Sequence, residues 1–156
     1  MGRSSLQGRW VETGEPLSVR FEGETIVSIE ADIDDGRALP WIAPGLVDLQ
    51  VNGFAGIDLN GEDTSPDKVA GLTRALLRVG VTSYLPTIIT ATPEEIDRRL
   101  DAVSAAIRAD RLTAACVAGI HLEGPFISPE DGARGAHPLA AVRAPDWALF
   151  ERWQEA

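Results

Sequence analysis

The most informative segment of this chain is Ala115-Cys116-Val117-Ala118-Gly119-Ile120-His121-Leu122-Glu123-Gly124-Pro125. Its apolar first part predicts a buried strand over residues 115–122, and the Gly-Pro pair begins the loop after it. In α/β enzymes, a carboxylate at the end of a parallel strand lies where the chemistry takes place. Because a buried carboxylate needs a cation or a proton to offset its charge, Glu123 is either a metal ligand or a carboxylate held by an ion pair or a helix dipole.

Helices and strands alternate in the sequence that leads to this stretch. Ser65 and Pro66 are typical of a helix start, and Gly80 is typical of a left-handed C-terminal cap. Thr92 and Glu95 match a capping box at the start of a second helix. The predicted order is strand 46–52, helix 66–79, strand 81–85 ended by Pro86, helix 93–107, strand 115–122, loop 124–143 and a helix from 147 to the chain end.

This alternation predicts an α/β fold with a parallel sheet and right-handed crossovers. Two architectures fit it, a doubly wound open sheet and the first part of a (β/α)8 barrel of the TIM type. The first strand-to-helix turn lacks the G-x-G-x-x-G pattern, so a dinucleotide-binding fold has no support. A complete barrel needs roughly 250 residues. The chain of 156 residues therefore has room for only a partial barrel, about three βα units, and is expected to be a fragment on that interpretation.

The first forty residues have a different pattern. Residues 17–21 alternate apolar and polar side chains, Glu22-Gly23-Glu24 is a turn signal, and residues 25–29 form a second candidate strand. Together they predict a small antiparallel β element ahead of another domain. The expected domains are residues 1–43 and residues 44–156.

Composition limits the classes of partner. The net charge is −10, with 14 Lys and Arg against 24 Asp and Glu, which argues against binding to nucleic acid or to an anionic membrane surface. A small anionic substrate remains compatible with this charge, because a single pocket can be positive. The one cysteine, Cys116, is expected in the core and fits a reducing cytosol. With no apolar run suited to a signal peptide or a membrane span, we expect a cytoplasmic protein.

Polar side chains near two predicted strand ends are candidates for a site. His121 leaves its strand on the same side as Glu123, and it could bind a metal, orient the site or simply pack in the core. Asp48, Gln50 and Asn52 share one face of the first parallel strand, which is unusual because such strands are normally apolar on both faces. Gln50 and Asn52 suit the positioning of water or substrate, and ordinary capping of a strand end is the alternative.

The long loop after Glu123 is a second candidate region. It contains Arg134 and His137, which could meet an anionic group, and its glycines leave backbone N–H groups available. Loops of this length in compact domains are often functional. A merely exposed loop is the alternative.

Three segments in this order resemble the N-acetylglucosamine-6-phosphate deacetylase family of the amidohydrolase superfamily. They are residues 44–53 (PGLVDLQVNG), residues 80–87 (GVTSYLPT) and residues 121–126 (HLEGPF). The segment Gly135-Ala136-His137-Pro138 adds to the similarity. The resemblance is to the N-terminal portion of the family and extends over nearly the whole chain, most specifically over residues 44–138.

The resemblance implies a fold, a reaction and a metal. The fold is a (β/α)8 barrel that carries a small β-sandwich built from both ends of the chain. The reaction is deacetylation of N-acetylglucosamine 6-phosphate to glucosamine 6-phosphate and acetate, in amino-sugar catabolism. Glu123 matches the ligand of one divalent metal ion, with zinc expected first and iron, cobalt or manganese as alternatives. The family also implies a homodimer for the full-length protein.

The resemblance assigns the remaining candidate residues by position. Ala136 and His137 match a pair that contacts the substrate. Gln50 and Asn52 stand where many amidohydrolases have His-x-His, which resembles the single-metal members, and they are also expected near the substrate. The general acid/base aspartate and the other metal ligands are expected beyond residue 156, so the fragment alone is predicted to be inactive. Another 6-phosphorylated N-acetyl amino sugar as substrate, or a non-catalytic fragment that binds sugar phosphates, are the alternatives.

Overall fold

The computed structural model describes residues 3–155, which form two compact units. The first unit ends at Pro44 and the second begins at Gly45. Within residues 3–155, none of the helices combines the length and the apolar character that a bilayer crossing requires.

The first unit contains a four-stranded sheet with the strand order β3-β2-β1-β4. The two predicted strands are confirmed as β2 and β3, but the predicted all-antiparallel pairing is incomplete, because β1 also pairs with β4 in parallel. Gly8 on β1 permits this pairing, since a Cβ atom there would lie 2.6 Å from the carbonyl oxygen of Pro40. The strands are β1 Arg3–Trp10, β2 Pro16–Glu22, β3 Thr25–Ala31 and β4 Trp41–Ile42.

The second unit is an α/β arrangement around a three-stranded parallel sheet with the order β5-β8-β9. A short antiparallel pair, β6 with β7, lies between β5 and the first helix. The strands are β5 Leu46–Val51, β6 Gly53–Phe54, β7 Ile57–Asp58, β8 Val81–Ile89 and β9 His121–Glu123. The helices are α1 Pro66–Leu77, α2 Pro93–Ala109, α3 Arg111–Cys116 and α4 Trp147–Gln154, with a 3-10 turn at Leu139–Ala141.

Local signals placed the starts of α1 and α2 correctly. The Ser65 side chain accepts a hydrogen bond from the Lys68 backbone N–H, and Thr92 with Glu95 forms the complete capping box predicted for α2. Gly80 has φ +88°, the left-handed conformation expected after α1. These contacts satisfy backbone groups that a helix end leaves without partners.

Two groups of buried side chains make the core of the second unit. One group fills the space between α1, α2, α3 and the sheet, with Tyr84 fully buried within it. The other packs α4 against α2 and the end of β8, with Trp153 only 4% exposed. Cys116 is buried in the first group, which confirms its predicted place in the core.

The predicted strand over residues 115–122 is wrong for most of its length. Residues 111–116 are helix α3, Val117 makes only an isolated bridge to Tyr84, and β9 begins at His121. A short apolar run cannot by itself distinguish a buried strand from a buried helix, and alanine favours the helix. Packing of Thr113 and Cys116 in the core selects the helix here.

Two further predictions about element ends are wrong. Pro86 does not end its strand, because β8 continues to Ile89. Pro86 lies opposite Val51, where the pairing of β5 with β8 is irregular and the Val51 N–H donates to the Thr87 hydroxyl instead of a backbone carbonyl. Val79 lies beyond the end of α1 and is exposed, although the helical period placed it on the buried face. The last helix ends at Gln154, and Ala156 lies outside the described residues.

Candidate functional site

Glu123 is the last residue of β9, and the parallel sheet brings other strand ends to the same edge. Glu123 is paired with Ile89, the last residue of β8, and β5 lies on the other side of β8. Gln50 and Asn52 are at the end of β5. Because all three strands run in the same direction, residues far apart in the sequence meet at this edge.

The Glu123 carboxylate is the point where the candidate side chains converge. Its Oε2 atom accepts hydrogen bonds from Gln50 Nε2 at 2.9 Å and from Asn52 Nδ2 at 3.4 Å. Its Oε1 atom lies 3.4 Å from His137 Nε2, and 31% of the Glu123 side chain is exposed. These four residues, Gln50, Asn52, Glu123 and His137, are here called the carboxylate cluster.

The backbone at Glu123 is held independently of its side chain. The Thr90 hydroxyl donates to the Glu123 carbonyl oxygen at 3.1 Å. Gly124 follows with φ +93°, and a Cβ atom there would collide with Thr90 Oγ1. A glycine is required at this position because only it allows the chain to turn so close to Thr90.

The carboxylate cluster faces a cleft with a volume of about 300 Å³. Ala136 and His137 lie in its wall together with Gln50, Asn52 and Glu123, the residues that the family resemblance assigns to the substrate and the metal. Ile89 and Pro138 complete the lining. The cleft is large enough for part of a small polar ligand.

His121 lies beneath the carboxylate cluster and not in the cleft wall. Its Nδ1 atom is 3.4 Å from Thr87 Oγ1, and the buried Thr87 hydroxyl in turn accepts from the Val51 N–H and donates to the Leu85 carbonyl oxygen. These contacts tie the ends of β5, β8 and β9 together. The His121 ring thus contacts Thr87 and does not line the cleft, and a role for it in orienting the site stays a prediction.

Two sequence candidates do not join the carboxylate cluster. Asp48 Oδ1 accepts from the Gln50 N–H at 3.1 Å, so its side chain is used within β5 and lines no part of the cleft. The Arg134 guanidinium donates to the carbonyl oxygen of His137 and to the Asp131 carboxylate. The irregular pairing of β5 explains the difference at Asp48, because a strand without regular pairing no longer alternates its side chains strictly.

Sequence reasoning missed Thr87 and Thr90, both of which support the site. Both follow Pro86, where the sequence predicts the strand to end, and no separate role is predicted for either, although Thr87 belongs to the second segment of the resemblance. Continued β-branched character through Thr87-Ile88-Ile89 is the signal that could have identified it.

The residues present fit one ligand of a divalent metal, not a complete site. A carboxylate that lines a cleft is a suitable ligand, and hydrogen bonds from amide groups to a carboxylate are typical of metal-binding carboxylates. Among residues 3–155, no group of three or more His, Cys, Asp or Glu side chains is placed so that it could hold an ion. Further ligands would have to come from outside these residues.

Curated proteins that share one name match most of this chain. No family model matches the chain. N-acetylglucosamine-6-phosphate deacetylase of Rattus norvegicus is 39% identical over 140 residues, which are 86% of this chain and 32% of the rat protein. The Homo sapiens protein of the same name is 36% identical over 155 residues, 96% of this chain and 36% of the human protein. The chain thus spans about a third of the length of these curated relatives.

Solved structures with the same name share the fold. The crystal structure from Pasteurella multocida superposes with a TM-score of 0.78 at 23% identity, covering 99% of this chain and 42% of that chain. A mutant from Mycobacterium smegmatis, in complex with N-acetyl-D-glucosamine-6-phosphate, superposes with a TM-score of 0.74 at 26% identity, covering 99% and 41%.

Proposed function

We propose that this chain, which belongs to the N-acetylglucosamine-6-phosphate deacetylase family, supplies the carboxylate cluster of an amidohydrolase. The proposed enzyme converts N-acetylglucosamine 6-phosphate to glucosamine 6-phosphate and acetate. The observation that carries the proposal is the convergence of Gln50, Asn52 and His137 on one carboxylate, Glu123, at the shared edge of a parallel sheet. The activity is proposed for the complete enzyme, since the chain corresponds to a third of its relatives' length.

The same proposal extends to the architecture. The adjacent parallel strands β5, β8 and β9, with α1 and α2 between them, are proposed to be the first part of a (β/α)8 barrel. The mixed sheet of the first unit is proposed to be part of a small β-sandwich. The structural similarity to complete deacetylases supports both assignments.

Glu123 is proposed to be one ligand of a divalent metal ion, and zinc is the metal expected first. Such an ion, when bound, would lower the pKa of a water molecule and polarise the amide carbonyl of the substrate. Gln50 and Asn52 would hold Oε2 so that Oε1 stays directed at the cleft. The remaining ligands and the general acid/base aspartate are proposed to come from outside residues 3–155.

Ala136 and His137 are proposed to contact the sugar. They lie side by side in the cleft wall, and the His137 ring reaches Glu123, so a substrate beside the ring would also be beside the carboxylate. A neutral imidazole offers one donor and one acceptor, which suits recognition of a sugar hydroxyl or an amide.

A cytoplasmic location and a homodimer stay predictions.

The alternative proposal is a fragment that binds sugar phosphates without catalysis. The two functions differ in what lies beyond residue 156. A reading frame that continues and encodes two further histidines and a strand-end aspartate favours the enzyme, whereas a stop codon favours the binding fragment.

Activity is tested with the polypeptide encoded by the complete reading frame, using N-acetylglucosamine 6-phosphate and measuring free amine. We expect turnover that is lost after chelation and restored by Zn²⁺. Glu123→Gln should lower kcat by about 100-fold or more, because removing a ligand exceeds the effect of removing a supporting residue. Glu130→Gln is the matched control, since Glu130 is exposed in the loop. N-acetylgalactosamine 6-phosphate serves as the competing substrate.

Three outcomes would overturn parts of the proposal. Absence of turnover by the complete polypeptide would reject the deacetylase assignment. Unchanged turnover by Glu123→Gln would reject the role of Glu123. Metal-dependent turnover by the purified 156-residue chain would reject the prediction that it is inactive alone.

A further inference from the structure

We propose that Arg134 is a positioning residue that acts through His137 and does not itself touch the ligand. The expected effect of Arg134 on catalysis rests on the proposed function. The expected effect of Arg134 on the position of the His137 ring does not. The sequence suggested instead that Arg134 contacts an anionic group.

The contact between the two residues is direct. Arg134 Nη1 donates to the carbonyl oxygen of His137 at 2.7 Å, a short distance for a charge-assisted hydrogen bond. In return, the His137 N–H donates to the carbonyl oxygen of Arg134 at 3.4 Å. The longer backbone bond is the weaker of the two, so the guanidinium provides most of the hold on the His137 backbone.

The Arg134 guanidinium also forms an ion pair within the loop. Its Nη2 atom pairs with the Asp131 carboxylate, and the Arg134 side chain is only 18% exposed whereas that of Asp131 is 95% exposed. A planar guanidinium can serve two acceptors in a fixed geometry, which an ammonium cannot do in the same way. Arg134 therefore joins the exposed part of the loop to the residue in the cleft wall, and its own side chain does not line the cleft.

The other backbone hydrogen bonds of the loop hold neighbours of His137 and not His137 itself. The Arg134 N–H donates to the Glu130 carbonyl oxygen, and the Gly135 N–H donates to the Gly132 carbonyl oxygen. Gly135, two residues before His137, has φ +61°, a left-handed conformation that glycine adopts readily. Removal of the Arg134 side chain should therefore let the His137 ring move away from Glu123, from which it is now 3.4 Å distant.

The catalytic consequence is tested by a double-mutant cycle in the complete polypeptide. Arg134→Ala should lower kcat/KM by roughly 10- to 100-fold, since small displacements of positioning groups have effects of this size. In a His137→Ala background the same substitution should change kcat/KM by less than about twofold, because additivity fails for residues that act through one another. Arg134→Lys should restore part of the loss through a single donor.

Arg152→Ala is the control. Arg152 also pairs with an aspartate, Asp97, but it lies on α4 and lines no part of the cleft. An equal loss from Arg134→Ala in both backgrounds would overturn the proposal, because Arg134 would then act on the substrate or on the whole fold. No loss in either background would also overturn it.

A second measurement does not depend on activity. The chain has only two histidines, His121 and His137, so their ring signals in an NMR spectrum of the 156-residue chain can be compared directly. Arg134→Ala should shift or broaden the His137 ring and amide signals and leave those of His121 unchanged. Unaltered His137 signals would overturn the proposal even if the deacetylase function is correct. Altered signals together with no turnover by the complete polypeptide would support the proposal while rejecting that function.

Discussion

Tyr84, Thr73 and Thr113 show how single residues keep polar atoms in the core. The Tyr84 hydroxyl lies 2.8 Å from Thr73 Oγ1, which is 3.2 Å from Thr113 Oγ1. Thr73 also donates to the Val69 carbonyl oxygen, and Thr113 donates to the Asp110 carboxylate. Burial raises the pKa of Tyr84, so its hydroxyl stays neutral and must find a partner inside the protein.

The two ends of this network should respond differently to substitution. Thr73→Val keeps the side-chain shape but leaves the Tyr84 hydroxyl without its partner, which should lower the free energy of unfolding by about 1–3 kcal/mol. Tyr84→Phe removes the hydroxyl itself while Thr73 keeps its bond to Val69, so the loss should be about 1 kcal/mol or less. Urea unfolding followed by circular dichroism measures both. A larger loss for Tyr84→Phe would contradict this explanation.

At the scale of the element, the N-terminal end of α2 has a complete capping box. Thr92 Oγ1 accepts from the Glu95 N–H, and the Glu95 carboxylate accepts from the Thr92 N–H at 2.9 Å. Thr92→Ala should lower the free energy of unfolding by about 1 kcal/mol. The control is Arg98→Ala, at an exposed position further along the same helix, which should have a much smaller effect. Equal losses would show that the cap does not stabilise the helix.

The same capping box predicts a dependence on pH. The hydrogen bond from the Thr92 backbone N–H, helped by the Thr92 side chain, holds the pKa of Glu95 below its ordinary value. A carboxyl group with a lowered pKa in the folded state stabilises the fold above its unfolded pKa, about 4.3, and loses this effect as the pH falls through the lower folded value. Glu95→Ala should therefore flatten the loss of stability that wild type shows on acidification below about pH 4.3. Identical pH profiles would contradict the assignment.

At the scale of the whole molecule, apolar side chains on β5 are not covered. Val47 is 64% exposed and Leu49 is 66% exposed, although the sequence predicts an apolar face for this strand. In the proposed barrel, further elements would cover that face. Leu49→Asn should then leave the free energy of unfolding of the 156-residue chain within about 0.5 kcal/mol, as is usual for surface substitutions.

The complete polypeptide should respond differently to Leu49→Asn. Loss of a buried leucine there should lower the free energy of unfolding by about 2 kcal/mol or more. Unfolding of both proteins in urea, each compared with its wild type, measures the difference. The same small change in both would mean that nothing covers β5, which would count against the barrel.

Much of the site could be anticipated from residue types and strand ends. Glu123, Gln50 and Asn52 were predicted because polar side chains at the ends of parallel strands meet at one edge of a sheet. The hydrogen bonds from Gln50 and Asn52 to Glu123 join residues 71 to 73 positions apart and could not be predicted in detail. The absence of Asp48 from the cleft lining could not be predicted either, because it follows from irregular pairing of β5. Whether the carboxylate cluster serves a metal and a sugar phosphate stays a prediction.

Features that depend on neighbours a few residues apart follow from the sequence alone. The Ser65 cap, the capping box of Thr92 and the left-handed Gly80 are of this kind, because each involves backbone groups within one turn of a helix. Contacts between distant residues, in contrast, make residues 111–116 helical, continue β8 through Pro86 and bring Arg134 to His137. Those outcomes depend on packing and hydrogen-bond partners that the fold brings together, and a local apolar or charged pattern is compatible with more than one of them.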